Sequence, residues 1–246
     1  MASTSLPVPA GVRPYAVVVS QRPIRSLDRA PRAEYGSRAE HGTRAERKER
    51  TRQKLLDVTL TLIADRSLAS ISLREVARDA GIVPTAFYRH FESMDALGVE
   101  LVYDCMSPLR QMIREARRGR SGHGDIIKDT VDILATQVRA HPDQFRFLTR
   151  ERYGGVAAVR RAIDTELRLF TSDLAIDLAR LTAGRDWSTD DLEMAADLMI
   201  AAMLAIVVDL LEVGDRRGEP ESDMLVRGQK QLRLIAFGMA AWQSKP

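Results

Sequence analysis

The chain has 246 residues, of which 45% are hydrophobic and 29% charged, and its formal net charge is +3. This length and apolar content allow a sizeable buried core in one or two domains. The single cysteine, Cys105, excludes an intramolecular disulfide, and we interpret it as a passive thiol. No uncharged stretch approaches the roughly 18 residues that span a bilayer, and prolines interrupt any signal-peptide core. We therefore expect a cytoplasmic protein without membrane contact, and the scarcity of β-branched runs indicates an all-α fold.

The positive charge is concentrated at the N-terminal end of the chain. Residues 1–54 contain twelve Lys and Arg against five Asp and Glu, so the remainder of the chain is net negative. A basic arm on an acidic body favours a nucleic-acid partner, whose phosphates attract cations. Residues 1–42, rich in Pro, Arg, Ser and Ala, are predicted to be a disordered basic extension. A solvated tail with no partner explains the same composition.

The stretch from Ser72 to Phe91, which we call the reader, predicts two short helices joined by a tight turn. Ser72 and Glu75 have the spacing of a capping box, which begins a helix, and Gly81 suits the left-handed residue that ends one. Pro84 suits the first turn of the second helix. Helix, glycine turn, helix is the geometry that places a recognition helix in the major groove of DNA. A helical hairpin within a bundle carries the same local signals.

The outer face of the second reader helix differs from an ordinary solvated face. Phe87 and Phe91 lie four residues apart and are predicted to face inward, which leaves Thr85, Tyr88 and Arg89 outside. These outer side chains can bond to phosphates and base edges. The preceding helix, predicted at about residues 43–65, begins with cations that would contact phosphates without reading sequence. They are Arg44, Arg47, Lys48, Arg50 and Arg52.

Helical patterns continue to the end of the chain. A long helix is predicted at residues 94–118, with Pro108 expected to bend or divide it. The sequence GRSGHG at residues 119–124 is predicted to be a loop. Further helices are predicted at residues 125–140, 142–152, 156–181, 188–213 and 220–243, which gives nine or ten helices in all.

The run from Leu198 to Val208 is apolar all round, so a helix here needs cover on every side. The last helix of the chain supplies only part of that cover. We therefore expect a partner subunit, although the central core helix of a monomer would show the same pattern. The predicted dimer interface takes one stripe from each helix: Ala195, Met199, Ala202, Ile206, Leu210, Leu232, Ile235 and Met239.

Residues 44–104 include LREVARDAGI in the first reader helix and FYRHF at the end of the second. This segment resembles the N-terminal domain of TetR-type transcriptional repressors. The stretches FESMDALGVELV and RERYGG are similar to a narrower group, the repressors of unsaturated fatty-acid synthesis that sense long-chain acyl thioesters. The resemblance implies a DNA-binding domain at residues 43–93 and a helical effector-binding and dimerisation domain at residues 94–246, with a four-helix dimer interface.

The resemblance also implies roles for individual residues of the reader. It implies DNA-backbone contacts from Tyr88 and His90, base contacts from Thr85 and Arg89, and further contacts from Ser72, Arg74 and Pro84. Two positions depart from the family pattern, because serine usually stands at Val83 and serine or threonine at Ala86. Both residues are apolar here, which removes a cap and a phosphate contact. The cations of the first helix are expected to compensate.

The acyl-sensing resemblance implies an effector pocket among the helices after Met94. Arg150 and Arg152, just before Gly154 and Gly155, could meet a carboxylate or a thioester head group, although a surface salt-bridge cluster is the plainer interpretation. Methionine and aliphatic side chains suit a flexible apolar chain, and they suit an ordinary core equally well. The candidate lining residues are Met112, Leu134, Phe145, Leu148, Ile163, Phe170, Leu174, Met199 and Met203.

No catalytic or metal-binding spacing is found in the sequence, so we expect neither an enzyme nor a cofactor. We expect a homodimeric regulator, a repressor in the simplest case, that binds a palindromic operator. A small apolar effector, such as a long-chain acyl thioester, would change its operator affinity and thereby control lipid metabolism genes. One alternative is a repressor of an efflux or lipid-transport gene. Another class is a helical small-molecule carrier without specific DNA binding.

Overall fold

The computed structural model of this protein describes residues 43–118, 126–182, 187–212 and 220–243. The predicted N-terminal extension and the predicted loop at residues 119–124 lie outside these ranges. Regular structure in the described residues is helical throughout, which confirms the all-α prediction. The helices are α1 (Arg44–Leu62), α2 (Leu73–Asp79), α3 (Pro84–Phe87), α4 (Met94–Arg118), α5 (Ile126–Ala140), α6 (Pro142–Glu151), α7 (Ala157–Leu181), α8 (Thr189–Leu211) and α9 (Glu221–Ala241), with a single 3-10 turn at Leu68–Ser70.

A full capping box begins α1, where the sequence analysis had predicted only a helix start. The amide of Glu46 donates to Thr43 Oγ1 at 3.2 Å, and the amide of Thr43 donates to Glu46 Oε2 at 2.7 Å. At Ser72 only half of the predicted box exists. The Ser72 hydroxyl accepts from the Glu75 amide at 3.2 Å, whereas the Glu75 carboxylate pairs with Arg66 at 2.6 Å. Glu75 therefore ties α2 to the segment that follows α1.

The turn between α2 and α3 depends on Gly81. Its φ is 73°, in the left-handed region that favours glycine. α3 then begins at Pro84 without a side-chain cap, because Val83 has no hydroxyl to offer. The predicted helix-turn-helix is present, although the regular part of α3 ends at Phe87 and does not extend to Phe91.

The 3-10 turn joins the reader to the later helices through Leu68. This side chain is buried in one hydrophobic core that includes residues of α1 to α4, α6 and α7. The backbone of α4 comes close at Gly98, where a methyl group would meet the Leu68 side chain and lie 2.8 Å from Val159 Cγ2. Glycine thus lets α4, α7 and the turn meet. The core continues across residue 93, and the predicted domain boundary there stays a prediction.

α4 runs without interruption past Pro108, so this proline does not divide the helix. Proline removes one backbone hydrogen bond from the helix. Packing on α7 offsets that loss, and it includes an ion pair between Arg110 and the buried Glu166. Cys105 lies in the same helix, and burial raises the pKa of its thiol to about 12. The thiol is therefore protonated at neutral pH, the form that does not act as a nucleophile.

α8 packs between α7 and α9. Gly228 of α9 allows the close approach, since a Cβ there would lie 2.5 Å from Ile206 Cδ1. Arg227 and Asp209 also pair across these two helices at 3.0 Å. Ala196 of α8 is fully buried in a separate apolar cluster that includes Ala175 and Leu178 of α7. Two flanks of α8 are thereby covered by its own chain.

Gly98→Ala is expected to destabilise the protein by about 1–3 kcal/mol, because the added methyl overpacks the junction of α4, α7 and Leu68. Gly238→Ala is the matched control, since a Cβ there meets no atom within 4 Å. Alanine favours helix over glycine, so the control should keep or gain stability, by up to ~1 kcal/mol. Chemical denaturation measures both changes. Equal midpoints for wild type and Gly98→Ala would contradict the close approach.

Candidate functional site

The outward face of α3 presents the side chains that the sequence analysis placed there. Tyr88 is 62% exposed, and Thr85 and Arg89 are also exposed. Phe87 is fully buried beneath them, and its ring centroid lies 5.8 Å from that of Phe91. These aromatic contacts fix the short helix on its core. Thr85 lies in α3 and Arg89 in the turn that follows it, and both are exposed, so they can offer a hydroxyl and a guanidinium to the bases of a DNA groove.

His90 lies half-buried beside this face. Burial lowers the pKa of His90, and the nearby cations Lys48, Arg52 and Arg89 lower it further against an opposite effect of Glu49. His90 is therefore neutral at pH 7. Its Nδ1 has no hydrogen-bond partner within the described residues. Burial is the main cause of the lowered pKa, and the additional effect of Lys48, Arg52 and Arg89 shows that cations surround His90, as contact with phosphates requires.

The predicted cations around the reader fall into two groups. Exposed cations on α1 and α2 are Arg44, Arg47, Lys48, Arg50 and Arg74. Arg52 differs from them: it pairs with Glu100 at 2.8 Å, and its Cζ lies 4.9 Å from the ring centroid of Phe91. The charge of Arg52 thus joins α1 to α4, and its assignment to DNA stays a prediction. The hydroxyl of Ser72 caps α2, as described above.

Apolar cavity space lies among the helices after the reader. Two adjoining spaces of about 410 Å³ and 480 Å³ have six lining residues in common. These shared residues are Leu109, Ile113, Leu134, Phe170, Ile200 and Met203. Because the same side chains line both spaces, we treat them as one cavity with two ends. Spaces of this size accommodate small-molecule ligands.

Each end of the cavity has a cation beside the apolar interior. At the α6 end, Thr149, Arg152 and Tyr153 line the wall, and Arg152 Cζ lies 5.5 Å from the Tyr153 ring centroid. At the α7 end, Arg180 Nη1 lies 3.4 Å from Asp177 Oδ1, and both side chains line the wall. An elongated ligand with an apolar chain and an anionic group matches this distribution of charge.

Most of the residues predicted to contact an effector line this cavity. They are Met112, Leu134, Phe145, Leu148, Arg152, Ile163, Phe170, Leu174 and Met203. Two others do not line it and stay predictions: Met199 packs in the apolar clusters that α8 forms with α9, and Arg150 binds backbone carbonyls after α1. The sequence analysis missed Ile200, although its position one turn before Met203 was a usable signal. Tyr153 of the RERYGG stretch also lines the cavity.

Two family models match the chain. Residues 55–101 match the model described as bacterial regulatory proteins, tetR family, and residues 123–240 match a tetracyclin repressor-like C-terminal domain. The chain belongs to the TetR family. It is thus a TetR-family transcriptional regulator, with an N-terminal helix-turn-helix and a C-terminal helical domain.

Solved structures with the same fold include three other regulators. The fatty acid degradation regulator FadR from Bacillus halodurans is 15% identical, with 76% of this chain and 95% of that chain covered and a TM-score of 0.62. FadR from Bacillus subtilis, solved in complex with stearoyl-CoA, is 12% identical, with 76% and 98% covered and a TM-score of 0.57. Reduced NemR from E. coli is 19% identical, with 75% and 96% covered and a TM-score of 0.56. At these identities the likeness shows the TetR-family fold alone.

Most side chains of the stripe predicted as the dimer interface are buried within the single chain. Its members Ala195, Ile206, Leu210, Leu232 and Met239 are each at most 9% exposed. They are buried because α8 and α9 of one chain pack on each other through these side chains. The other three members, Met199, Ala202 and Ile235, are half-buried, and the predicted interface stays a prediction.

A different stripe of α8 is exposed. It consists of Met194, Leu198, Ala201, Ala205 and Val208, which recur at helical spacing. On α9, Leu234 and Phe237 are each 72% exposed. α8 is the one helix in the described residues that is long and apolar enough to cross a membrane, by length and composition alone. In a TetR-family regulator, an apolar surface of this kind is a candidate protein interface.

Arg89→Ala is expected to weaken binding to the cognate operator by roughly 1–3 kcal/mol, because it removes a guanidinium placed to pair with a guanine. Binding to random DNA should change much less. Lys48→Ala is the control, since an exposed lysine that contacts phosphate should weaken both complexes alike. Fluorescence anisotropy at one salt concentration measures all four affinities. An equal loss for Arg89→Ala on both DNAs would make Arg89 a phosphate contact.

Proposed function

We propose that this protein is a repressor that binds a palindromic operator as a homodimer and responds to a long-chain acyl thioester. Residues 43–93 act as the DNA-binding domain, and residues 94–246 bind the effector and form the dimer. Two readers contact half-sites spaced by about one turn of DNA or a multiple of it. The regulated genes belong to lipid metabolism, and the protein acts in the cytoplasm.

The apolar cavity, with its two adjoining spaces, carries this proposal. Its apolar walls suit a chain of methylenes, each of which gains about 0.8 kcal/mol when buried. Methionine side chains such as Met203 and Met112 adapt to a flexible chain. Arg152 stands at the α6 end as a cation for the thioester head group, whose phosphates are anionic. The stearoyl-CoA complex of the Bacillus subtilis FadR, a protein of the same fold, supports this class of effector.

The dimer has two conformations, and the effector acts by changing their relative populations. It stabilises the arrangement that binds it better, and the operator affinity changes by the same coupling free energy. Met194 and Leu198 of the exposed stripe of α8, with Leu234 and Phe237 of α9, form the dimer contact, which borders the cavity because Ala201, Ala205 and Val208 of the same stripe line it. That contact buries apolar surface which the single chain leaves in water.

The effector class is tested by fluorescence anisotropy on DNA from upstream of the protein's own gene, at one salt concentration, with and without stearoyl-CoA. We expect tight, site-specific binding that the thioester alters about five- to a hundredfold in either direction. Free coenzyme A is the control for the head group alone and should have no such effect. Arg152→Gln should weaken thioester binding, measured by calorimetry, and leave operator affinity without effector unchanged.

The outcomes separate the alternatives. Specific operator binding that is indifferent to stearoyl-CoA would favour a repressor of an efflux or lipid-transport gene. Thioester binding without any specific DNA site would favour a carrier. Unaltered thioester affinity in Arg152→Gln would remove Arg152 from the effector site.

Leu198→Glu is expected to convert the dimer to a monomer, because it places a charge within an apolar contact. Ile176→Glu is the matched control: Leu198 is 53% exposed and Ile176, on α7, is 52% exposed in the single chain. The control should remain a dimer. Sedimentation equilibrium of both variants gives the mass. A dimeric Leu198→Glu variant would place the interface on another surface.

A further inference from the structure

The last turn of α6 has two faces with different contacts. Leu148, Thr149 and Arg152 line the cavity. The two residues between Thr149 and Arg152, which are Arg150 and Glu151, instead bind the segment that joins α1 to α2. One helical turn therefore forms part of the cavity wall and part of the support of the reader.

Arg150 closes the C-terminal end of α1. Its Nη1 donates to the carbonyl oxygens of Ile63 at 2.7 Å and Arg66 at 3.0 Å, and its Nη2 donates to that of Ala64 at 3.0 Å. All three carbonyls lie just beyond Leu62, the last residue of α1, so Arg150 holds the segment that follows the helix. A guanidinium with several donors in a fixed plane matches three such acceptors.

Glu151 binds the same segment a few residues later. Its Oε1 accepts from the amide of Leu68 at 2.9 Å, and its side chain is 1% exposed. Its Oε2 is buried without a hydrogen-bond partner among the described residues. Gly154 lies so close that a Cβ there would collide with this carboxylate. Burying a carboxylate with one unpaired oxygen costs free energy. A small displacement of α6 would change the surroundings of the Glu151 carboxylate and therefore this cost.

We propose that Arg150 and Glu151 are positioning residues that transmit the filling of the cavity to the reader. The inference rests on the proposed function, since it explains how an effector would change operator affinity. A ligand that displaces Leu148 or Arg152 moves the same turn that carries Arg150 and Glu151. Through their bonds, the end of α1 and Leu68 move with it. α1 carries the exposed cations and α2 leads into α3, so the readers change their spacing on DNA.

A double-mutant cycle tests this coupling without any ligand. Ile200→Phe enlarges a side chain in the shared part of the cavity and stands in for a bound effector. It is expected to change operator affinity by about fivefold or more. In an Arg150→Gln background the same change should have less than about a twofold effect. Arg150→Lys, which can still donate to one carbonyl, should restore part of the effect.

Arg146→Gln is the control on the same helix, because Arg146 pairs with Asp143 at the surface at 3.0 Å. In the Arg146→Gln background, Ile200→Phe should change operator affinity as much as it does in the wild type. Glu151→Gln is the second test variant if Arg150→Gln does not fold, and it should also reduce the effect to less than about twofold. Circular dichroism melting and the dimer mass establish that each compared variant is folded.

An effect of Ile200→Phe that is equally large in the Arg150→Gln and Glu151→Gln backgrounds would overturn the proposal. So would an Ile200→Phe variant that binds the operator as wild type does, since a filled cavity would then leave the reader unmoved. Stearoyl-CoA provides a separate arm. If it does not bind while the cycle behaves as expected, the effector class is wrong and the coupling stands. If it binds and alters operator affinity equally in wild type and Arg150→Gln, the coupling is wrong and the effector class stands.

Discussion

The burial of Leu68 is the contact on which the rest of the structure depends. Its side chain lies against Gly98 of α4 and Val159 of α7, and its amide donates to Glu151 of α6. The helices that line the cavity and those that present the reader therefore meet around one side chain. Packed cores adopt discrete arrangements and do not deform continuously. A change in the cavity thus reaches the reader as a shift between arrangements.

Local signals were enough to predict the helices and the reader. Gly81 and Pro84 place the turn and the start of α3 because each needs a backbone conformation that few other residues favour. α4 was predicted with both ends correct, at Met94 and Arg118, because its apolar residues recur with a strong helical period. The family motif then added roles for α3 residues that periodicity alone does not assign.

Contacts that join distant parts of the chain could not be predicted. α8 is apolar on all sides, so the sequence pattern does not show which face of the helix packs on which neighbour. The stripe predicted as the interface is the one that packs on α9. The exposed stripe lies about 100° around the same helix, because most of its members stand one residue earlier in the sequence than those of the predicted stripe. Arg150 and Arg52 were assigned by their charge, but their partners are backbone carbonyls and a carboxylate far away in sequence. Nothing local marks such partners.

The two long walls of the cavity differ in how easily they move. α4 and α7 are joined by the ion pair of Arg110 with the buried Glu166, and Leu109 and Phe170 line the cavity on either side of it. Separating that pair would leave a buried charge uncompensated, which costs several kcal/mol. The end of α6 is instead attached by four hydrogen bonds, all of them to the segment between α1 and α2. A displacement of α6 is therefore passed to the reader, whereas a displacement between α4 and α7 first has to separate their ion pair.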